Sequence, residues 1–233
     1  MDDGGLFVPE TFPPVTREEL EEMLPMSYPE RAAKVLKKYL DEYDGAELLS
    51  ALDKAYSKFE GDPAPLVKID DGIYILELWH GPTCAFKDMA LTVLPYLLRK
   101  GCDICGIKEQ VLILVATSGD TGKAALEGFK DAEGIKIMVF YPDDGVSKMQ
   151  KLQMCTQEGG NVNVVAVKGN FDDCQTAVKR IFSSEEYAKT LKEKNVILSS
   201  ANSINFGRLA PQIAYYFSSY LDLVSGGQIE MGE

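Results

Sequence analysis

Three short segments carry the side chains best suited to chemistry. The first is His80-Gly81-Pro82-Thr83-Cys84-Ala85-Phe86-Lys87-Asp88. A Gly-Pro turn leads through an apolar pair to a lysine at the head of an apolar stretch. The dipole and unsatisfied N–H groups at a helix start favour anions over a cation. Burial also favours the neutral amine, and a neutral lysine amine is the nucleophile that condenses with carbonyls. The same residues also read as an ordinary lysine that reaches solvent along its alkyl stem, with Asp88 as its partner.

The second segment is Ala116-Thr117-Ser118-Gly119-Asp120-Thr121-Gly122-Lys123-Ala124-Ala125. It follows an apolar run and opens a helix. Its glycines let the backbone approach a ligand, and a helix start offers N–H groups to an anion. In an open α/β sheet, ligands sit at this C-terminal edge. Thr117 and Ala124 depart from the P-loop pattern, and G-x-G-x-x-G is absent. A plain helix start capped by Ser118 or Asp120 fits the same residues. The third segment is Ser200-Ala201-Asn202-Ser203-Ile204-Asn205-Phe206-Gly207-Arg208. Its hydrogen-bonding side chains precede a guanidinium that can bind phosphate or carboxylate bidentately. An ordinary polar strand-to-helix loop is the other reading.

These segments need elements to hold them. Thr16-Arg17-Glu18-Glu19 is a capping box that starts a helix. Ala32, Val35, Leu36, Tyr39, Leu40 and Tyr43 recur at helical spacing, as do Leu48, Leu52, Ala55, Tyr56 and Phe59, and Gly45 and Gly61 are expected to close these two helices. Leu66 to Ile69 and Ile73 to Leu78 read as strands joined by the turn Asp70-Asp71-Gly72. Residues 87 to 99 form a helix apolar nearly all round, which Pro95 should kink or shorten. From residue 111 short β-branched runs alternate with helical stretches: strands at Val111 to Ala116, Ile135 to Tyr141, Val162 to Val167 and Val196 to Ser199, and helices at Thr121 to Ala132, Ser147 to Thr156 and Phe171 to Phe182. Such alternation predicts a parallel sheet covered on both faces. A last helix spans Arg208 to Leu223, interrupted by Pro211, and the loop from Ser225 onward would ordinarily lead into another strand. The chain is therefore expected to be the front part of a longer one.

Composition removes several classes. The 24 basic and 36 acidic residues give a net charge of −12, which opposes nucleic-acid binding. No apolar run approaches the roughly 18 residues that span a bilayer, and Met1-Asp2-Asp3-Gly4-Gly5 is no apolar leader, so a cytoplasmic location without membrane contact is expected. An odd count of five cysteines fits reduced thiols. Cys102 and Cys105 stand as one isolated C-x-x-C, better read as plain thiols than as a metal or redox pair. With His80 the only histidine, neither an HExxH metalloprotease nor a nucleophile-elbow hydrolase is available.

Taken together, the segments resemble the threonine synthase family of pyridoxal-phosphate enzymes, in the fold group shared with tryptophan synthase β-chains. The likeness rests on Leu6-Phe7-Val8-Pro9, on Leu76-Glu77-Leu78-Trp79-His80-Gly81-Pro82-Thr83 with Ala85-Phe86-Lys87-Asp88, on Ala116 to Gly122, and on Ser200 to Asn205, in the family's order. The resemblance implies an α/β fold: a parallel sheet with helices on both faces, an N-terminal region of helices and a hairpin, and an incomplete large cofactor domain. The expected divisions are 1–79, 80–110 (start of the large domain), 111–200 (a small α/β domain) and 201–233 (return to the large domain). It implies pyridoxal 5'-phosphate as cofactor, joined to Lys87 with Phe86 beside it. Ser118, Gly119, Asp120 and Thr121 would hold the substrate's carboxylate, and Asn202, Ser203, Asn205 and Arg208 its phosphate end. The implied reaction turns O-phospho-L-homoserine and water into L-threonine and phosphate. Cys84 stands where relatives usually carry an aliphatic residue. The family's glycine-rich phosphate cradle would lie past residue 233, so this length of chain is expected to be catalytically silent alone. A related phospholyase, or a folded binding piece without activity, are the other expectations.

Overall fold

A capping box does open the first helix. In this computed structural model, which describes residues Gly5–Gly232, Thr16 Oγ1 accepts from the Glu19 N–H at 3.3 Å and the Glu19 carboxylate accepts from the Thr16 N–H at 2.7 Å. The opening Met1–Gly4, read above as carrying no leader, lies outside the described residues, as does Glu233. Helix α1 is Arg17–Met23, α2 is Tyr28–Lys37 and α3 is Gly45–Tyr56. Gly45 does not end a helix, contrary to expectation. Asp44 Oδ1 accepts from the N–H groups of Ala46 and Glu47 at 3.0 and 2.9 Å, which makes Gly45 the first residue of α3. Strands β1 (Leu66–Asp70) and β2 (Ile73–Leu76) pair antiparallel, with Gly72 at φ +72° in the turn. The apolar stretch after Lys87 breaks in two: α4 (Asp88–Leu91) and α5 (Leu94–Ile104), with Pro95 at the second residue of α5.

The parallel sheet follows. Strands β3 (Gln110–Ala116), β4 (Ile135–Pro142), β5 (Val162–Val167) and β6 (Val196–Ser199) lie in the order β5-β4-β3-β6, every pair parallel. The connecting helices are α6 (Asp120–Phe129), α7 (Lys148–Cys155), α8 (Phe171–Ser183) and α9 (Glu185–Glu193). Alternate strand residues serve opposite faces. Leu114, Ala116, Met138 and Phe140 pack with Cys174 and Val178 of α8. A Cβ on Gly122 of α6 would instead lie 2.9 Å from Val139 Cγ1, on the other face. This double cover explains why the strands are near-continuous apolar runs.

The last stretch departs from one interrupted helix. It is α10 (Phe206–Leu209), a 3-10 turn over Ala210–Ile213 that contains Pro211, and α11 (Ala214–Ser225). The chain divides into two compact units, Met1–Val93 with Leu209–Glu233, and Leu94–Arg208. The first unit's core includes Met23, Val35 and Leu221 with Ile213 and Phe217 packed against them. The second is the four-stranded sheet with its helices.

Candidate active site

Lys87 lies in the first unit, at the residue just before α4. Its half-buried amine sits 4.5 Å from the centroid of the Phe86 ring, a cation–π distance. What holds the loop is the next residue. Asp88 is 1% exposed; its Oδ2 accepts from the Thr83 N–H at 2.8 Å and its Oδ1 from the Thr83 hydroxyl at 2.6 Å. The carboxylate passes so close to Gly81 that a Cβ there would lie 2.6 Å from Oδ2. Cys84, at φ +57°, occupies a left-handed turn that costs an L residue energy and needs such a frame to persist. Beneath α4 the buried Tyr56 hydroxyl donates to the Met89 carbonyl at 2.9 Å, and burial pushes that phenol well above its usual range, so it stays a donor. Lys87 thus projects from a backbone fixed on both sides.

The second and third segments lie in the other unit, at one place in its sheet. β3 leads to β4 and β5 on one side, and the chain then returns to add β6 on the other. The order reverses between β3 and β6, and ligands bind at the carboxyl ends of strands at such a switch point. Both polar loops leave the sheet there. They are tied directly: Asn202 Nδ2 donates to the Ala116 carbonyl at 3.1 Å. Asn205 Nδ2 donates to the Ser200 carbonyl at 2.9 Å and its Oδ1 accepts from the Gly207 N–H at 2.9 Å. Ser203 is exposed and Arg208 is buried.

The turn after β3 is not capped by Ser118 or Asp120. Thr117 does that work: its buried Oγ1 accepts from the N–H groups of Gly119 at 3.0 Å and Gly122 at 2.8 Å. Gly119 takes φ +146°, which only glycine adopts without strain. Among the described residues, the N–H groups of Asp120 and Thr121 at the first turn of α6 donate to no carbonyl or side chain. They form the free end of the helix, where an anion is favoured. Ser118 is exposed beside them.

Sequence reasoning missed three residues here: the Asp88 clamp, the Thr117 cap, and Gln150 of α7, whose Nε2 donates to Asp120 Oδ1 at 2.9 Å. Only Gln150 had a local signal, the S-x-x-Q capping box Ser147–Gln150. Among the described residues no cluster of metal ligands occurs and no helix is long and apolar enough to cross a membrane. Cys102 is buried in α5 and Cys105 exposed just beyond it, both as free thiols. The first unit offers a lysine amine, which can condense with an aldehyde such as that of a pyridoxal group. The second unit, taken by itself, offers backbone N–H groups with hydroxyls and amides, which suit the carboxylate and phosphate of an anionic amino acid.

Comparison with known proteins agrees with that chemistry. Residues 59–217 match the family described as pyridoxal-phosphate dependent enzyme, and residues 1–56 match the threonine synthase N terminus. The chain is 40% identical to a threonine synthase of Pseudomonas aeruginosa, over 95% of this chain and 46% of that protein. It is 41% identical to human threonine synthase-like 1, over 99% of this chain and 32% of that protein. A crystal structure of a pyridoxal-phosphate-bound threonine synthase from Brucella melitensis superposes with a TM-score of 0.85 at 38% identity, over 95% of this chain and 47% of that one. The chain thus spans from 32% to 47% of the length of these relatives.

Proposed function

The chain belongs to the pyridoxal-phosphate-dependent enzyme family, and on that premise we propose that it is the part of a threonine synthase that carries the cofactor lysine and the substrate's carboxylate site. The substrate is O-phospho-L-homoserine and the products are L-threonine and phosphate. The observation that carries this reading is the convergence of two polar loops at the β3/β6 switch point, joined by the Asn202 to Ala116 hydrogen bond, next to a helix start with free N–H groups. When bound, the cofactor supplies an electron sink for carbanion chemistry at the substrate.

Each residue then has a task. Lys87 holds the cofactor through its amine, with Phe86 alongside. When that amine is free of the cofactor, its Nζ takes a proton at the substrate's α-carbon and moves protons at the β-carbon as general base and acid. Ser118, Gly119, Asp120 and Thr121 bind the α-carboxylate, by the free N–H groups of Asp120 and Thr121 and the exposed Ser118 hydroxyl. Asn202, Ser203, Asn205 and Arg208 serve the phosphate end. Asn202 and Asn205 do so by fixing the loop, since their amide N–H groups already donate to carbonyls. Ser203 presents its hydroxyl. A bound carboxylate gains from the α6 dipole, a contribution of about 0.3–1 kcal/mol at an exposed site and more where water is excluded.

Borohydride reduction of the full-length protein loaded with pyridoxal phosphate, followed by peptide mapping, tests the cofactor site. A pyridoxyl adduct on Lys87 is expected; an adduct on another lysine with Lys87 unmodified ends the assignment. Product analysis after adding O-phospho-L-homoserine to the full-length protein tests the reaction. Threonine with equal phosphate supports it, and phosphate released without threonine identifies a phospholyase instead.

A further inference from the structure

Gln150 belongs to no motif read from the sequence, yet its carboxamide has three ties. Oε1 accepts from the Ser147 N–H at 3.1 Å. Nε2 donates to Asp120 Oδ1 at 2.9 Å. Its face covers Gly119 so closely that a Cβ there would lie 2.3 Å from Nε2 and 2.5 Å from Cδ. Residues 30 apart in sequence, on two different helices, are joined at the turn itself.

That contact resolves a conflict. Asp120 puts a negative charge on the first residue of α6, beside the N–H groups offered to a substrate carboxylate. A carboxylate at a helix start is drawn to those same N–H groups. Left alone, Asp120 would turn its own anion toward the place the substrate needs. The Gln150 amide holds one of its oxygens against α7 instead. We propose that Gln150 is a positioning residue: by engaging Asp120 and covering Gly119, it keeps the N–H groups of Asp120 and Thr121 open to the carboxylate of an amino-acid substrate. This rests on the reading of the turn as a carboxylate site. It adds a residue from α7 to that site and assigns Asp120 a held, rather than a binding, carboxylate.

The experiment uses sodium acetate as a carboxylate probe and follows backbone amide resonances of the full chain without cofactor. In the wild type the Asp120 and Thr121 resonances move with acetate. In Gln150→Ala the midpoint rises about tenfold, the loss expected for one hydrogen bond to a charged group. Gln150→Met fills the space over Gly119 but cannot donate, so it shows the same rise if donation is what matters and also serves should the alanine variant unfold. Adding Asp120→Asn to either variant restores the wild-type midpoint, because the competing anion is gone; loss of packing alone would not be restored. With O-phospho-L-homoserine and the loaded enzyme, the same variants raise KM with little change in kcat. Wild-type resonances that ignore acetate, unshifted midpoints in both variants, or no restoration by Asp120→Asn each overturn the proposal. If the acetate results hold while the full-length enzyme forms no threonine from phosphohomoserine, the proposed reaction fails and the role of Gln150 stands.

Discussion

Asp88 is the residue on which the lysine loop depends. Its carboxylate is buried and accepts two hydrogen bonds from Thr83, through the main-chain N–H and the hydroxyl. Removing it leaves two half-buried donors without that acceptor, and bonds to a charged group contribute roughly 1.5–3 kcal/mol each while their loss exposes part of the desolvation cost of the orphaned partner. Asp88→Ala should therefore lower unfolding free energy in urea by about 2–4 kcal/mol, and borohydride trapping of the cofactor on Lys87 should fall with it. Asp88→Asn keeps one acceptor oxygen and should lose less than half as much. An alanine variant as stable as the wild type would show that the loop is held by something else. Lys87 was legible because it sits among unusual neighbours, a Gly-Pro turn before it and an apolar run after it. The clamp was not, because an Asp following a Lys reads first as its ion-pair partner. Its contact with Thr83, five residues back, exists only once the loop has closed over Gly81.

At the scale of elements, the start of α6 shows what pattern reading finds and what it cannot. The strand β3, the helix after it and the glycine turn between them follow from apolar runs and composition. The cap does not, because Thr117, Ser118 and Asp120 all offer a side-chain oxygen within four residues and the fold selects the one that faces inward. Thr117 is buried and its hydroxyl accepts from both Gly119 and Gly122. Thr117→Val preserves shape and removes that acceptor. A lost cap typically costs about 1 kcal/mol, and two buried donors raise this to about 2–3 kcal/mol. Hydrogen exchange should quicken at Gly119 and Gly122 and along the first turn of α6, with β5 unaffected; uniform quickening across the sheet would contradict a local role. Two other elements show the same limit. Gly45 reads as a helix stop, yet the Asp44 carboxylate takes the next N–H groups and turns the position into a start. α9 was not read at all: Ser184 both ends α8 and caps α9, with its Oγ accepting from the Tyr187 N–H at 3.3 Å, so no break separates the two patterns. None of the α9 residues is buried, although Tyr187, Ala188 and Leu191 fall at helical spacing.

For the molecule as a whole, the first unit is assembled from both ends of the chain, and one buried cation joins them. Arg31, 6% exposed, donates to the carbonyls of Met23 and Leu24, to Ser218 Oγ at 2.9 Å and to Asp222 Oδ1 at 2.5 Å. It therefore satisfies the end of α1 and fastens α11, nearly two hundred residues later, to α2. Arg31→Met keeps the stem and deletes every one of these bonds, and breaking a buried, hydrogen-bonded ion pair of this kind costs about 3–5 kcal/mol when both partners are deeply buried. Asp222 retains 32% side-chain exposure, so a loss nearer 2–3 kcal/mol is expected in urea unfolding. The cysteines report on both units at once. Cys84, Cys105 and Cys155 are exposed, whereas Cys102 and Cys174 are buried, and burial pushes both of the latter thiols above their usual range. The thiolate is the reactive form, so a raised pKa and closed access act in the same direction. An aromatic disulfide reagent at mildly alkaline pH should thus titrate three thiols quickly and two slowly, and the slow pair should merge with the fast phase only in denaturant. Raising the pH should speed the three exposed thiols as their thiolate fraction grows. The slow pair should respond to pH only through whatever opening exposes it. In Arg31→Met the slow phase of Cys174 and Cys102 should keep its native rate if the loss is confined to the first unit, since both residues belong to the second. Loss of their protection at denaturant concentrations where only the first unit has melted would show that the two units do not unfold separately.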